Sequence, residues 1–260
     1  MKKKVVAVIL CGGMGSRLGQ LTKRTPKPLL QVMKKPIIWY VVSSLLKYRL
    51  NEIIFPLGYK GEKIEQYIKK NFKKKIKKFQ FVKTGIKTEI LDRIKKISRN
   101  LNHYDEIIII NSDTIFDFNI RSFLNFHIRN NNFISLSGVK MQTTWGTIVK
   151  DKYNVLKKFS VNSKITSYKI KNYEKYEAFR NTGLSIINVK CLSFIKSLKN
   201  NDFEISLYNK FIKFKNIGVK IFNGFWYPIE TNKDLNLIRN EKKLVKQIIN
   251  LKQKLKNNKL

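Results

Sequence analysis

The chain has 260 residues, 43% of them hydrophobic, and carries 54 Lys and Arg against 17 Asp and Glu, for a formal charge of +37. That length and apolar content support a substantial core, and five Pro and twelve Gly exclude a collagen-like or wholly disordered chain. The two cysteines, Cys11 and Cys191, lie in no C-x-x-C or Cys/His cluster, which speaks against a disulfide framework or a zinc site.

The N-terminus, MKKKVVAVIL, imitates a secretory leader. Its apolar run stops at Leu10 and meets Cys11-Gly12-Gly13-Met14-Gly15, short of the roughly 7–15 residues of a leader's apolar region. Val5–Leu10 is therefore expected as a buried strand covered on both faces. Pro36–Tyr48 opens with Pro and has helical apolar spacing. Glu52–Leu57 follows as a strand, Gly61–Phe72 as a helix and Phe79–Val82 as a short strand. Thr88–Leu101 is expected to be helical, with Ile90, Leu91, Ile94 and Ile97 on one face, and Glu106–Ile110 (EIIII) is the next buried strand.

This order predicts an α/β fold with a Rossmann-like, doubly wound, mostly parallel sheet. Ligands in such sheets sit outside the carboxyl ends of the strands. Strands are expected in the second half at Phe133–Val139, Gly146–Lys150, Val155–Phe159, Tyr168–Ile170, Leu184–Val189 and Val219–Phe222. Leu235–Leu260 is expected as one basic helix with a frayed tail. The chain is treated as one domain, with a first half over 1–130, a small β-rich half over 131–235 and the basic helix over 236–260.

Nine of the basic residues are Arg and the rest Lys, and Asn and Ile are also abundant. A nucleic-acid or membrane-surface binder is one reading of the charge. A Lys-rich background from A/T-rich codons is the other, and the expectation is no specific nucleic acid and no membrane. No apolar run approaches the about 18 residues of a spanning helix, so a cytoplasmic location is expected. A homo-oligomer is compatible with everything in the sequence.

Leu10–Pro28 (LCGGMGSRLGQLTKRTPKP) carries the strongest chemical signal. Gly12, Gly13 and Gly15 let backbone N–H groups approach phosphate oxygens. Arg17 adds a planar cationic fork, and Lys27, between Pro26 and Pro28, adds a point charge on a stiff segment. Together they read as a polyanion cradle. Asn111-Ser112-Asp113-Thr114 follows EIIII. A carboxylate just past a buried strand is a natural Mg²⁺ ligand or a turn residue, and Asp117 is a weaker candidate. His103 and His127 belong to no motif and are expected to be exposed; Trp39 and Tyr40 are expected in the core.

Leu10–Pro28 resembles the signature of sugar-1-phosphate nucleotidyltransferases, L-[AC]-G-G-x-G-[ST]-R-L followed by a Lys-Pro pair. The likeness continues in Lys35-Pro36-Ile37-Ile38, Gly58-Tyr59-Lys60-Gly61, Val82-Lys83-Thr84-Gly85 with Thr88 and Arg93-Ile94, and Trp226–Thr231. The order and spacing look most like the glucose-1-phosphate cytidylyltransferases. The resemblance implies a nucleoside triphosphate and a sugar phosphate as substrates, Mg²⁺ as cofactor, and Arg17, Lys27 and Asp113 as catalytic residues. It implies nucleotide contacts from Leu10, Gly12, Gly13, Gly15, Ser16, Arg17, Lys27, Thr84 and Gly85. It implies acceptor contacts from Gly146, Asn181, Gly183 and Trp226, with Glu230 joining Asp113 as metal ligand.

Three departures stand out. Glu230 replaces the family's usual Asp. Residues 88–93 read TEILDR where cytidylyltransferases often carry a glycine pair. The E-K-P expected after Phe159 is missing, leaving Lys158 and Lys164 nearby. Asn111–Thr114 looks closer to heptose-phosphate guanylyltransferases. The alternatives are therefore another triphosphate and acceptor pair, such as GTP with heptose 1-phosphate, or a non-catalytic nucleotide-binding relative.

Overall fold

Every residue of Val5–Leu10 (β1) is apolar, and its side chains serve two cores at once: Val5, Ala7 and Ile9 enter one buried cluster, Val6 and Val8 another. The computed structural model describes residues 3–48, 50–142, 147–150, 156–160, 164–165, 179–199, 203–214 and 216–257. Within them β1 joins β2 (Glu52–Leu57), β3 (Phe79–Lys83), β4 (Glu106–Asn111), β5 (Ile134–Val139), β6 (Arg180–Asn188) and β7 (Ile217–Phe222). They form one seven-stranded sheet in the order β7-β5-β6-β4-β1-β2-β3. Neighbours run parallel except at β6, which is antiparallel to both β4 and β5. The expected doubly wound, mostly parallel α/β architecture is the one observed.

Helices cover both faces, which is why the central strands tolerate no polar alternation. One face is packed by α1 (Ile37–Leu46), α2 (Gly61–Asn71) and α4 (Ile120–Arg129), joined by α7 (Asn232–Asn240) and α8 (Lys242–Asn257). The other is packed by α3 (Ile90–Leu101), α5 (Cys191–Ser197) and α6 (Phe203–Lys213). The chain thus winds outward through α1 and α2 on one face, then crosses by α3 on the opposite face to lay β4 against the free side of β1. The direction of winding reverses between β1 and β4, and their carboxyl ends, Leu10 and Asn111, lie paired in register. A crevice at this point is where open sheets of this kind bind ligands. Trp39 and Tyr40 are buried as expected.

Three local outcomes differ from the sequence expectation. Helices α4, α5 and α6 were not anticipated, because their apolar positions are interleaved with Asn, Ser and Lys. Strand β6 starts at Arg180, four residues before the expected Leu184, with a register shift against β5 between Asn181 and Ser185. The C-terminal segment is two helices, not one: Glu241 is extended at ψ 116° between them, and α7 begins with a capping box of Thr231 and Asp234. The strand expected at Tyr168–Ile170 lies outside the described residues, whereas Thr147–Lys150 and Leu156–Ser160 pair antiparallel close to where two strands were expected.

His127 also overturns its expectation. It is 1% exposed, with Nε2 3.0 Å from Glu106 Oε2 and Nδ1 2.9 Å from Ser135 Oγ. Asn188 donates to the same buried carboxylate, and Lys3 reaches it from the surface. Nothing near His127 in the sequence announces this, because its partner begins a strand in a different part of the chain. His103 is exposed, as expected. His127→Ala should lower unfolding free energy by about 1.5–3 kcal/mol, the worth of a hydrogen bond to a charged group. A urea midpoint equal to wild type would show that the buried carboxylate does not depend on this ring.

Candidate active site

The turn after β1 is shaped by what lies beneath it. A Cβ on Gly12 would stand 2.2 Å from Arg93 Nη1, so only glycine lets the backbone pass this guanidinium. Arg93 is 3% exposed, and among the described residues its side chain hydrogen-bonds only to neutral oxygens. It donates to Thr84 Oγ1 (2.5 Å), Gly85 O (2.9 Å), Gly12 O (2.9 Å) and Ile86 O (3.3 Å). One side chain thereby ties the turn after β1 to the loop after β3. Burial lowers the Arg93 pKa from its ordinary value, and the four acceptors are what make a buried cation tenable there. The Tyr59 N–H also donates to Gly12 O at 3.0 Å.

Downstream, Gly15 adopts φ 66°, and its backbone packs against Lys27, whose Cβ would be 3.0 Å from a Cβ at Gly15. A 3₁₀ turn, Ser16–Leu18, then presents Arg17 with its side chain 76% exposed. Cys11, just before the glycines, is no nucleophile. Burial pushes its thiol pKa up to about 12.

Lys27 sits between its two prolines and donates from Nζ to Asp113 Oδ2 at 2.7 Å. Asp113 lies in the turn leaving β4. The short strand after it, Thr114–Phe116, pairs antiparallel with Trp226–Pro228, and the Ile229 N–H donates to Asp113 O at 2.9 Å. This clasp brings the Glu230 carboxylate to the same opening, where Arg17 Nη1 lies 3.7 Å and Arg180 Nη2 3.3 Å from it. The Arg180 guanidinium stacks 4.9 Å from the Trp226 ring centroid, and Trp226 donates to Thr182 O at 3.1 Å.

A cleft of about 300 Å³ results, and Arg17, Lys27, Asp113, Asn181, Gly183, Trp226 and Glu230 all line it. Seven residues singled out in the sequence thus converge from four separate stretches. Leu10 lines an adjoining cavity. Gly12, Gly13, Gly15 and Ser16 form the turn itself. Thr84 and Gly85 line neither space: Thr84 is buried, its hydroxyl donating to Leu57 O and accepting from Arg93. Gly146 lies outside the described residues. Arg180, Asn111, Thr182 and Glu204 also line the cleft and were not singled out. Arg180 could have been found as the cation preceding Asn181 in a stretch already of interest; Glu204 follows no motif. Among the described residues no three His, Cys, Asp or Glu side chains are grouped so as to hold a metal by themselves.

A family model for nucleotidyl transferases matches residues 6–236, which includes every element of this cleft. The chain belongs to the nucleotidyl transferase family. Among its relatives is a Bacillus subtilis (strain 168) protein described as a probable glucose-1-phosphate cytidylyltransferase. It is 27% identical over 249 residues, covering 88% of this chain and 92% of the relative. A D-glycero-alpha-D-manno-heptose 1-phosphate guanylyltransferase of Aneurinibacillus thermoaerophilus is 28% identical, over 70% of this chain and 74% of its own. In fold, this nucleotidyl transferase is similar to a Bacillus anthracis protein provisionally described as a glucose-1-phosphate thymidylyltransferase. The TM-score is 0.69 at 20% identity, covering 91% of this chain and 96% of the other.

Proposed function

We propose that this protein joins a nucleoside triphosphate to a sugar 1-phosphate, with CTP and glucose 1-phosphate as the pair, and releases pyrophosphate. The observation that carries this reading is the contact of Lys27 Nζ with Asp113 Oδ2 at 2.7 Å, on a cleft shared with Arg17 and Arg180. A cleft that offers three cations and three carboxylates suits two phosphorylated reactants and a cation held between them. The family supports the reaction class, and the Bacillus subtilis relative supports the pair.

An oxygen of the acceptor phosphate attacks the α-phosphorus, the bond from that phosphorus to the bridging β-oxygen breaks, and pyrophosphate departs with the electron pair. The nucleophile is already ionised, so no base is needed. The work is positioning and charge stabilisation. Arg17 stabilises the departing pyrophosphate. Lys27 holds the α-phosphate, and Arg180, flattened on Trp226, holds the acceptor phosphate in place of the missing E-K-P lysine. Asp113 and Glu230 offer the one or two hard oxygens that Mg²⁺ takes from a protein alongside substrate phosphates, and the ion would neutralise charge on the α-phosphate.

A second reading has its own observation. A heptose 1-phosphate guanylyltransferase of Campylobacter jejuni is 35% identical over 115 residues, 44% of this chain, and Asn111-Ser112-Asp113-Thr114 resembles that group. Pyrophosphate release measured with Mg²⁺ over CTP, GTP, ATP, UTP and dTTP, each against glucose, mannose and heptose 1-phosphates, decides between them. CTP with glucose 1-phosphate is expected to give the highest kcat/KM. Turnover confined to GTP with the heptose would favour the second reading. Binding without any turnover would mean a non-catalytic nucleotide-binding relative.

A further inference from the structure

We propose that Tyr59 and Lys60, assisted by Lys63, are positioning residues for the transfer: from the loop after β2 they clamp the helical turn Gln20–Arg24 and so set the separation of Arg17 and Lys27 around the phosphates. This rests on the nucleotidyl-transfer reading above and adds to it residues that act only through those two cations.

The chain between Arg17 and Lys27 has little to hold it. From Gly13 to Thr25 only Leu18 and Thr22 are buried. Gly15 at φ 66° and Gly19 at φ 53° flank the turn that carries Arg17 and give it no side-chain anchor. A segment with so few buried contacts lies at the low end of local stability unless polar ties hold it. Gln20–Arg24 is the middle of this stretch, and a helical turn of five residues leaves its last carbonyls without helical partners. Thr22 Oγ1 donates back to Gly15 O at 3.2 Å and Gly19 O at 3.1 Å, so whatever fixes this turn also fixes the glycines around Arg17.

The donors for those last carbonyls come from the Gly58–Lys63 loop. Tyr59 donates its hydroxyl to Thr22 O at 3.1 Å, the Lys60 ammonium donates to Lys23 O, and the exposed Lys63 ammonium donates to Arg24 O at 3.0 Å. Three successive carbonyls are taken in order by one loop, and ammonium groups suit the partial negative charge at a helix carboxyl end. The loop is itself seated on the glycine turn. The Tyr59 N–H donates to Gly12 O, and a Cβ on Gly58 would meet that oxygen at 2.4 Å. Lys60 stands at φ 49°, a left-handed conformation that strains any residue with a Cβ and that glycine would adopt freely. This backbone aims the side chain: the ammonium lies 5.2 Å from the Tyr59 ring centroid while it reaches Lys23 O. Strain kept at a contact with the phosphate-binding segment points to a use for that contact other than stability.

The test uses the full chain and its Tyr59→Phe, Lys60→Gly and Lys60→Arg variants. Amide exchange over residues 16–24 reads the clamp. The kcat and KM of the best pair from the panel above read its use, and calorimetric affinity for inorganic pyrophosphate reads Arg17 and Lys27 without turnover. Lys60→Gly relieves the backbone, so its urea midpoint is expected to equal or exceed that of wild type. It should nevertheless speed exchange over 16–24, weaken pyrophosphate binding and lower kcat by about tenfold with a smaller change in KM. Tyr59→Phe should do the same, and Lys60→Arg, which keeps a donor of similar reach, should recover most of the rate. Unchanged exchange over 16–24 in both Tyr59→Phe and Lys60→Gly would overturn the proposal. So would faster exchange with wild-type kcat and pyrophosphate affinity, or a loss of kcat confined to variants whose urea midpoint falls. If wild type turns over no pair, while faster exchange and weaker pyrophosphate binding go together in the variants, the clamp stands and the transfer reaction falls.

Discussion

Asp113→Ala is expected to cut kcat by about 10²-fold or more, the scale on which one preorganised group at a reacting phosphate acts. Two effects combine. On the proposed reading, the substitution removes an oxygen ligand beside the reacting phosphate, and it frees the Lys27 ammonium from a 2.7 Å partner that fixes its position. Lys27→Ala should cause a loss of similar size. Because the two side chains touch, the double variant should fall well short of the product of the two single losses, with a coupling of about 0.5–3 kcal/mol. Steady-state kinetics on variants checked for native unfolding midpoints would measure it. Near-normal turnover in folded Asp113→Ala, or full additivity of the two losses, would place the chemistry elsewhere.

Arg93→Ala should produce the largest loss of stability of any single substitution near the site. It removes the donor shared by the Thr84 hydroxyl and the carbonyls of Gly12, Gly85 and Ile86, leaving Gly12 O with the Tyr59 N–H and the Thr84 hydroxyl with Leu57 O. A hydrogen bond to a charged group is worth about 1.5–3 kcal/mol, four are lost and entering water offsets part of this, so a net loss of about 3 kcal/mol or more is expected. Arg93→Lys should recover little, since a single ammonium cannot span acceptors on two loops as a planar fork does. Urea denaturation of both variants checks this. A midpoint for Arg93→Ala within experimental error of wild type would mean that the glycine turn holds its shape unaided.

Most of the central sheet was legible because its strands are covered on both faces and so read as unbroken apolar runs. Val5–Leu10 and Glu52–Leu57 match the observed strands residue for residue, and Glu106–Ile110 falls short by one. The cradle was legible for a different reason: glycines, Arg17 and the Pro-flanked Lys27 are close in sequence. What escaped was everything made by distant pairing. Arg93 reads as an ordinary helical cation until the Gly12 and Gly85 carbonyls arrive beside it. Arg180 lies on a strand extension fixed by β5 and β4, not by its own neighbours. His127 is buried by a carboxylate that local periodicity cannot reveal. Glu230 was found only through the Trp226–Thr231 likeness, and its flanking arginines could not have been found that way.

The clasp of Thr114–Phe116 with Trp226–Pro228 has a consequence for how the protein comes into being. Glu230, one of the cleft's three carboxylates, is held by a segment synthesised long after the first central strands. Contacts so far apart along the chain form slowly, since loop closure must precede them. During synthesis the early strands and their glycine turn can therefore assemble while the catalytic pocket still lacks one wall. On the proposed reading, the cleft is complete only after the returning strand docks and α7 and α8 pack on the α1 face.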